Sequence, residues 1–435
     1  MKIGRGLPLF GEAASTLPEV KTGRLNHIDA LRGSVMLLLV PYHGLLFLQN
    51  SGASMAGLDL SVFWLHLWRM GLFFAVSGFL AAMTLGLWGP SRQIRQRLKR
   101  IGIPLFVAML TILPAQKLIV LWFVHQKSTG PTKPAYDYTL SNLLGWEPHH
   151  LWFLSYVLAF NVGAVVLWLV IRKGPWLATR IDGAFRRCLT SPLLIPLLAA
   201  LSAIPLWLGG FTEAPGRVAA SLIPMPSAAA YYGVFFLFGW MLFRGRDLLP
   251  VVEGRPWLRL AVALPAGLLA FVLYSGEVAL PELLPAEPTI LVVSGVAVWS
   301  TIFAVWGFFA RFLSGARPWV RYLADASYWV YLIHIPILVA TQLAIAESGI
   351  PPILRLTIAT SVSIALSFVT YALIVRHTAI GRLLHGKRAR NSQAVAGEGS
   401  PGTPGEVRPN EPSPDAASKL PGAASLDRAP GPAVS

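Results

Sequence analysis

Ten apolar stretches separated by short polar segments dominate the chain, near 33–49, 65–88, 101–124, 151–171, 190–210, 227–243, 258–275, 290–310, 326–345 and 352–375. At 1.5 Å of rise per residue, most are long enough to cross about 30 Å of hydrocarbon as helices. The bilayer interior leaves only helices and closed barrels as spanning structures, and continuous apolar runs of this length are the helical kind. The first run is short for a span. Pro41, Pro114, Pro205 and Pro336 fall inside runs, where kinks are expected because neighbouring helices can satisfy the freed carbonyls. The pattern predicts an all-α polytopic transmembrane helical bundle of about ten spans. Residues 25–385 form its membrane domain, preceded by a short segment, 1–24, and followed by a tail, 386–435. The first segment holds Pro8, Glu12, Pro18 and Glu19 and no compact apolar core, so a cleaved signal peptide is not expected and the first span serves as the insertion signal. The tail is rich in Pro, Gly, Ala and Ser and is expected to be disordered.

Composition agrees with this frame. Of 435 residues, 54% are hydrophobic and 13% charged, against about 25% charged in soluble domains. A formal net charge of +16 can suit nucleic acid, but the basic residues sit in short clusters between apolar runs and form no stripe on a polar domain. No nucleic-acid partner is expected; the lipid bilayer is. Basic residues collect on the cytoplasmic side of membrane proteins, and here they alternate. One side carries Arg24 and Arg32, then Arg92 to Arg100, Arg172 to Arg187, Arg244 to Arg255, Arg311 to Arg321 and Arg376 to Arg390. The other has little beyond Lys127, Lys133 and Arg217, and carries Asp59, Asp137, Glu147, Glu213, Glu277, Glu282, Glu287 and Glu347. An even number of spans with both termini cytoplasmic follows. The single Cys188 excludes a disulfide framework and a cysteine metal cluster, and no metal site is expected.

Ionisable side chains within spans cost a few kcal/mol and need a partner or a task. His43, Arg69 and His334 are the candidates. Arg32 and His43 stand eleven positions apart on one predicted helix, roughly 16 Å along its axis and close to three full turns. That puts Arg32 at the inner surface, with Asp29 one turn earlier to orient it, and His43 beyond the midplane on the same face. An imidazole there can take a proton from a hydroxyl or carry an acyl group; the bland alternative is a bond to a neighbouring carbonyl. His334, roughly 12 Å into its span, meets His43 if the two helices are neighbours, or else bonds the backbone kinked at Pro336. Ser77 and Gly78 suit close helix packing, and a site role for Ser77 needs a partner. The run from Arg92 to Arg100 can hold anionic lipid or the phosphates of a nucleotide-bearing donor. The loop of about 125–150 carries Tyr136, Tyr138, Trp146, His149 and His150, either as an acceptor-binding surface or as a connector with interfacial aromatics.

Five segments in order resemble the integral membrane acyltransferase family 3: Asp29 to His43, with an arginine, ten residues, then a histidine; Phe73 to Phe79; Arg97 to Pro104; His150 to Leu154; and Ala326 to Pro336. They look closest to the glucan succinyltransferase branch. The resemblance implies a membrane-embedded O-acyltransferase of the bacterial inner membrane. It would move a succinyl or acetyl group from cytoplasmic acyl-CoA, a donor substrate and not a bound cofactor, to a hydroxyl of a periplasmic glucan or other envelope carbohydrate. It implies His43 and Arg32 as the catalytic pair and Arg97 and Arg100 as donor-binding residues, with Asp29, Ser77, His150 and His334 in support. His43 would act either as general base or as a transiently acylated carrier, with Asp59 and Glu147 as the available guesses for a carboxylate that orients a histidine. A secondary transporter or flippase is the competing class, but the two halves show no internal repeat. A purely structural subunit is the third reading. The charge alternation makes a direct prediction: a tag fused to the C-terminus is reachable only from the cytoplasm, and labelling of that tag in intact cells would refute the orientation.

Overall fold

The computed structural model describes residues 25–52, 55, 57–127, 148–210, 221–276, 281 and 285–385. The segment 1–24, most of the loop of about 125–150 (Glu147 included) and the tail from 386 lie outside the described residues, as do Lys133, Glu213, Arg217, Glu277 and Glu282. Internal contacts divide the chain into Met1–Lys387 and Arg388–Ser435, and all described residues belong to the first unit.

Every described element is helical. In chain order they are α1 (Asn26–Leu37), α2 (Leu39–Asn50), α3 (Leu58–Trp88), α4 (Pro90–Arg97), α5 (Ile103–Lys127), α6 (Trp152–Ile171), α7 (Pro175–Thr190), α8 (Leu194–Leu208), α9 (Pro226–Arg244), α10 (Leu249–Glu253), α11 (Pro256–Ser275), α12 (Ala286–Phe312), α13 (Pro318–Ala344), α14 (Pro352–Thr370) and α15 (Ala379–His385). Nine spans among the described residues are long and apolar enough to cross a membrane, or ten when α7 and α8, bent by 119°, count as one. Side chains such as Phe106, Trp122, Val166, Leu264 and Leu373 stay exposed on the outer faces, as a lipid-contacting surface requires.

Two expectations change. The span 190–210 is in fact α8, of 15 residues, about 22 Å long and short for the bilayer. It is preceded by α7, whose 16 residues carry Arg180, Arg186 and Arg187 beside exposed Trp176 and Leu177. Mixed basic and apolar faces suit a helix lying at the membrane surface. Arg186 grips Asp247 through two bonds of 2.6 and 2.7 Å, and Arg244 holds Asp182, so α7 is pinned to the end of α9. The Arg186 hydrogen bonds also hold the Asp247 carboxyl below its ordinary range. The second change is in the first span, which starts at Asn26 and not near 33, and so reaches 25 residues, Asn26–Asn50; it is interrupted at Leu38, in keeping with the kink expected from Pro41. Pro41 has no N–H to offer the Leu37 carbonyl four residues earlier, so the helical ladder loses a rung there.

Close helix contacts are set by small residues. A Cβ added at Gly78 would fall 1.9 Å from the Phe236 carbonyl oxygen, and one at Gly239 would fall 1.8 Å from that of Ala75. The α3 and α9 backbones therefore touch at both glycines, as close helix packing in lipid favours. Gly33 of α1 packs similarly on Ala324 of α13, at 3.1 Å. Buried polar groups add directional links. Trp299 donates to Ser202 at 3.2 Å, and Gln342 donates to the Gly44 carbonyl at 3.2 Å, tying α13 to α2. These contacts predict that Gly78→Val lowers the thermal midpoint of the purified protein, by about 1–3 kcal/mol of stability or more because backbone must move. Gly163→Ala, with nothing within 4 Å of the added carbon, should leave the midpoint unchanged or slightly raised; equal effects would refute the close-contact account.

Candidate active site

The break at Leu38 separates two polar neighbourhoods on the first span. Toward its start, Asp29 Oδ1 lies 3.6 Å from Arg32 Nη2. Arg97 sits close enough to feel the charges of both Arg100 and Arg32, and donates from Nη2 to Thr84 Oγ1 at 3.1 Å. Its Nε is buried with no hydrogen-bond partner. Between α4 and α5 the backbone opens into a π-helical turn, Leu98–Gly102, and Tyr328 of α13 donates to the Arg100 carbonyl at 3.0 Å. Wide turns of this kind leave carbonyls and side chains free and recur at functional positions. Arg32, Arg97 and Arg100 thus converge from separate elements into one cationic group.

Farther along the same helices lies a cavity of about 280 Å³. His43, Tyr42, His66, Arg69 and His150 line it together with apolar side chains of α2, α3 and α13. His334 stands just behind the wall, fully buried. Its ring centroid is 5.3 Å from that of His43 and 5.4 Å from that of His150, and the His43 and His150 centroids are 6.4 Å apart. The expected meeting of His43 and His334 therefore occurs, and His150 joins it from the short 3-10 turn His149–Leu151 that opens α6. Tyr331 donates to the His150 carbonyl at 2.7 Å and anchors that turn, in which His149 adopts φ +41°.

Local chemistry sets the tautomer of His334. Nδ1 lies 2.8 Å from the Tyr331 carbonyl and 3.1 Å from that of Val330, and two acceptors demand that it carry the proton. Nε2 keeps its lone pair and is buried without a hydrogen-bond partner. The expected backbone bond and the expected encounter with His43 hold at once. Pro336 contributes further, because it leaves the Leu332 carbonyl without its helical donor, and that carbonyl faces the His150 ring. Ser363 donates to the His334 carbonyl at 2.9 Å and locks α13 to α14 at this level.

Other sequence candidates fall elsewhere. Ser77 is half-buried and does not line the cavity. Asp59 accepts from Gln49 at 2.5 Å and does not line the cavity that holds the histidines. Among the described residues no Asp or Glu lines the cavity at all. Tyr42, His66 and Gln116, which the sequence pattern does not single out, also line the cavity. Tyr42 OH and His66 Nδ1 are 2.7 Å apart, and the Arg69 guanidinium carbon lies 3.8 Å from the centre of the Tyr42 ring. The only sequence sign of this cluster was its spacing: Tyr42 adjoins His43, and His66 precedes Arg69 by one turn.

A group of imidazoles with no carboxylate beside it among the described residues, in a cavity remote from a cationic cluster on the same helices, suits proton transfer to and from a hydroxyl. Comparison with known proteins gives the family. Residues 25–372 match the family model Acyl_transf_3, described as an acyltransferase domain. Glucans biosynthesis protein C of Salmonella schwarzengrund (strain CVM19633) is 28% identical over 342 residues, covering 74% of this chain and 84% of the relative. The proteins of the same name from Salmonella heidelberg (strain SL476) and Salmonella typhimurium (strain LT2) are similar at the same identity and coverage. No solved structure gives a significant match. With about four-fifths of its length matched by that model, and with its arginine and histidine groups built on the shared helices, the chain belongs to the acyltransferase 3 family of multi-pass membrane acyltransferases.

Proposed function

We propose that this acyltransferase moves an acyl group from a cytoplasmic acyl-CoA to a hydroxyl of a glucan on the far side of a bacterial inner membrane. The carrying observation is the separation of the two polar groups along shared helices. Arg32 and His43 lie eleven residues apart, about 16 Å at helical rise, and Arg69 and Thr84, the latter bonded to Arg97, lie fifteen apart on α3, about 22 Å. The loop charges favour the arginine end as cytoplasmic, with both termini on that side. The names of the Salmonella relatives favour a glucan acceptor.

In this reading Arg32, Arg97 and Arg100 hold the phosphates of the donor. A guanidinium group is a strong partner for phosphate oxygens, and the unpartnered Nε of Arg97 offers one such bond. Asp29 steadies Arg32. His43 removes the proton from the acceptor hydroxyl as its oxygen attacks the thioester carbonyl. The new carbon–oxygen bond forms, the carbon–sulfur bond breaks, and the sulfur leaves as the thiol once it has taken up a proton. His334, with Nδ1–H committed to carbonyls and its ring 5.3 Å from that of His43, positions His43. His150 closes the histidine group from the α6 side.

Mass spectrometry of envelope glucans tests the reading. Cells carrying the intact gene should show an acyl mass increment that is absent from a deletion strain and reduced by roughly 10²–10⁴-fold in rate for His43→Ala. Unchanged acylation in the deletion strain would end the proposal. Retained acylation by His43→Ala would remove His43 from the chemistry.

A further inference from the structure

Arg69 is 2% exposed and sits midway through α3, within a span. Its guanidinium stacks on Tyr42, with 3.8 Å from its central carbon to the ring centre. Tyr42 is in turn held by the 2.7 Å bond to His66. Stacking engages the flat face of the guanidinium and leaves its in-plane N–H donors for an acceptor at the edge. Two of those donor atoms, Nε and Nη1, are buried and have no hydrogen-bond partner among the described residues. Among the described residues no carboxylate lines the cavity to which Arg69 belongs. A buried cation with idle donors is expensive in a span and persists where it has work to do.

The position of Arg69 says what that work concerns. Its charge reaches both His43 and His334, so a group being transferred at His43 passes within its field. A neutral sugar hydroxyl cannot supply the missing counter-charge. A carboxylate can, and it accepts several N–H bonds at once.

We infer that Arg69 binds the free carboxylate of a dicarboxylic acyl group, so that the cavity selects an anionic acyl chain over a neutral one of equal length. The inference rests on the reading that acyl transfer occurs at His43. Succinyl and butyryl chains have the same number of carbons, and they differ in ending on a carboxylate or on a methyl group. A cavity of about 280 Å³ has room for either, so size alone does not separate them. The carboxylate satisfies the idle donors of Arg69 and neutralises its charge, whereas the methyl group leaves both uncompensated. Sites built around a polar partner reject analogues that lack it far more strongly than apolar pockets reject a missing methylene.

Full-length protein in lipid nanodiscs, assayed with succinyl-CoA and butyryl-CoA on a glucose oligosaccharide, tests this. Wild type should favour the succinyl donor. Arg69→Gln should lower the succinyl-to-butyryl ratio by roughly 10- to 100-fold, and Arg69→Lys, which keeps the charge, by less. Free succinate, but not butyrate, should raise the thermal midpoint of wild type and leave that of Arg69→Gln unmoved. That binding measurement does not depend on turnover. An unchanged ratio with both rates falling together would overturn the inference, because a guanidinium that steadies the tetrahedral oxyanion or the fold acts on both donors alike. Absence of a succinyl preference in wild type would overturn it too. A wild type that binds succinate through Arg69 yet transfers neither group would overturn the acyl-transfer reading and keep the carboxylate site.

Discussion

Water is scarce inside a bilayer, so each polar group on a spanning helix has to find its partner within the protein. Most features of this structure follow from that shortage. The backbone answers it by forming helices throughout the described segments. Where the ladder is broken, side chains or neighbouring rings take up the slack. Pro336 frees the Leu332 carbonyl, and the His150 ring faces it; Ser363 serves the carbonyl of His334. Three of the buried side-chain atoms left without a hydrogen-bond partner, Nε2 of His334 and Nε and Nη1 of Arg69, border one cavity region, while others, such as Nε of Arg97 and Oγ of Ser294, lie elsewhere in the bundle.

Packing supplies the precision that a histidine group needs. Hydrophobic burial offers little drive for helix association in lipid, so proximity depends on shape and on a few hydrogen bonds. Gly78 and Gly239 let α3 and α9 touch, while Gly33 and Gly44 let the first span nestle against α13 and α14. These contacts hold α2 and α13 at the spacing that brings His43 and His334 to 5.3 Å. The turn bearing His150 is then fixed by Tyr331, a residue of α13 itself. The helix that carries one histidine thus positions another. A change in the α13 packing would displace both.

The arginine cluster obeys the same logic at the opposite end. Like charges at close range repel, and Arg97 lies near both Arg100 and Arg32. Asp29 compensates one of the three. The remaining positive potential attracts a polyanion, and it is concentrated where a π-helical turn widens the backbone between α4 and α5. The two ends therefore differ in kind: one gathers three guanidinium groups, the other sets titratable rings around a single buried cation, Arg69.

Sequence alone determined the class of fold. Apolar runs of bilayer length read as spans, so the helical bundle and the basic run near Arg97 were legible without coordinates. It also carried the ordered segments that mark the acyltransferase 3 family. The tertiary structure decided what no linear pattern encodes. His150 lies 107 residues from His43 along the chain, and Tyr331, which anchors it, another 181 beyond; only helix packing makes them neighbours. The split of the first span at Leu38 follows from a single missing N–H at Pro41 whose effect depends on what surrounds the Leu37 carbonyl. The surface character of α7 emerged from its sharp bend against α8. The idle donors of Arg69 were equally invisible, since a sequence shows which groups a chain owns, and geometry alone shows which of them go unanswered.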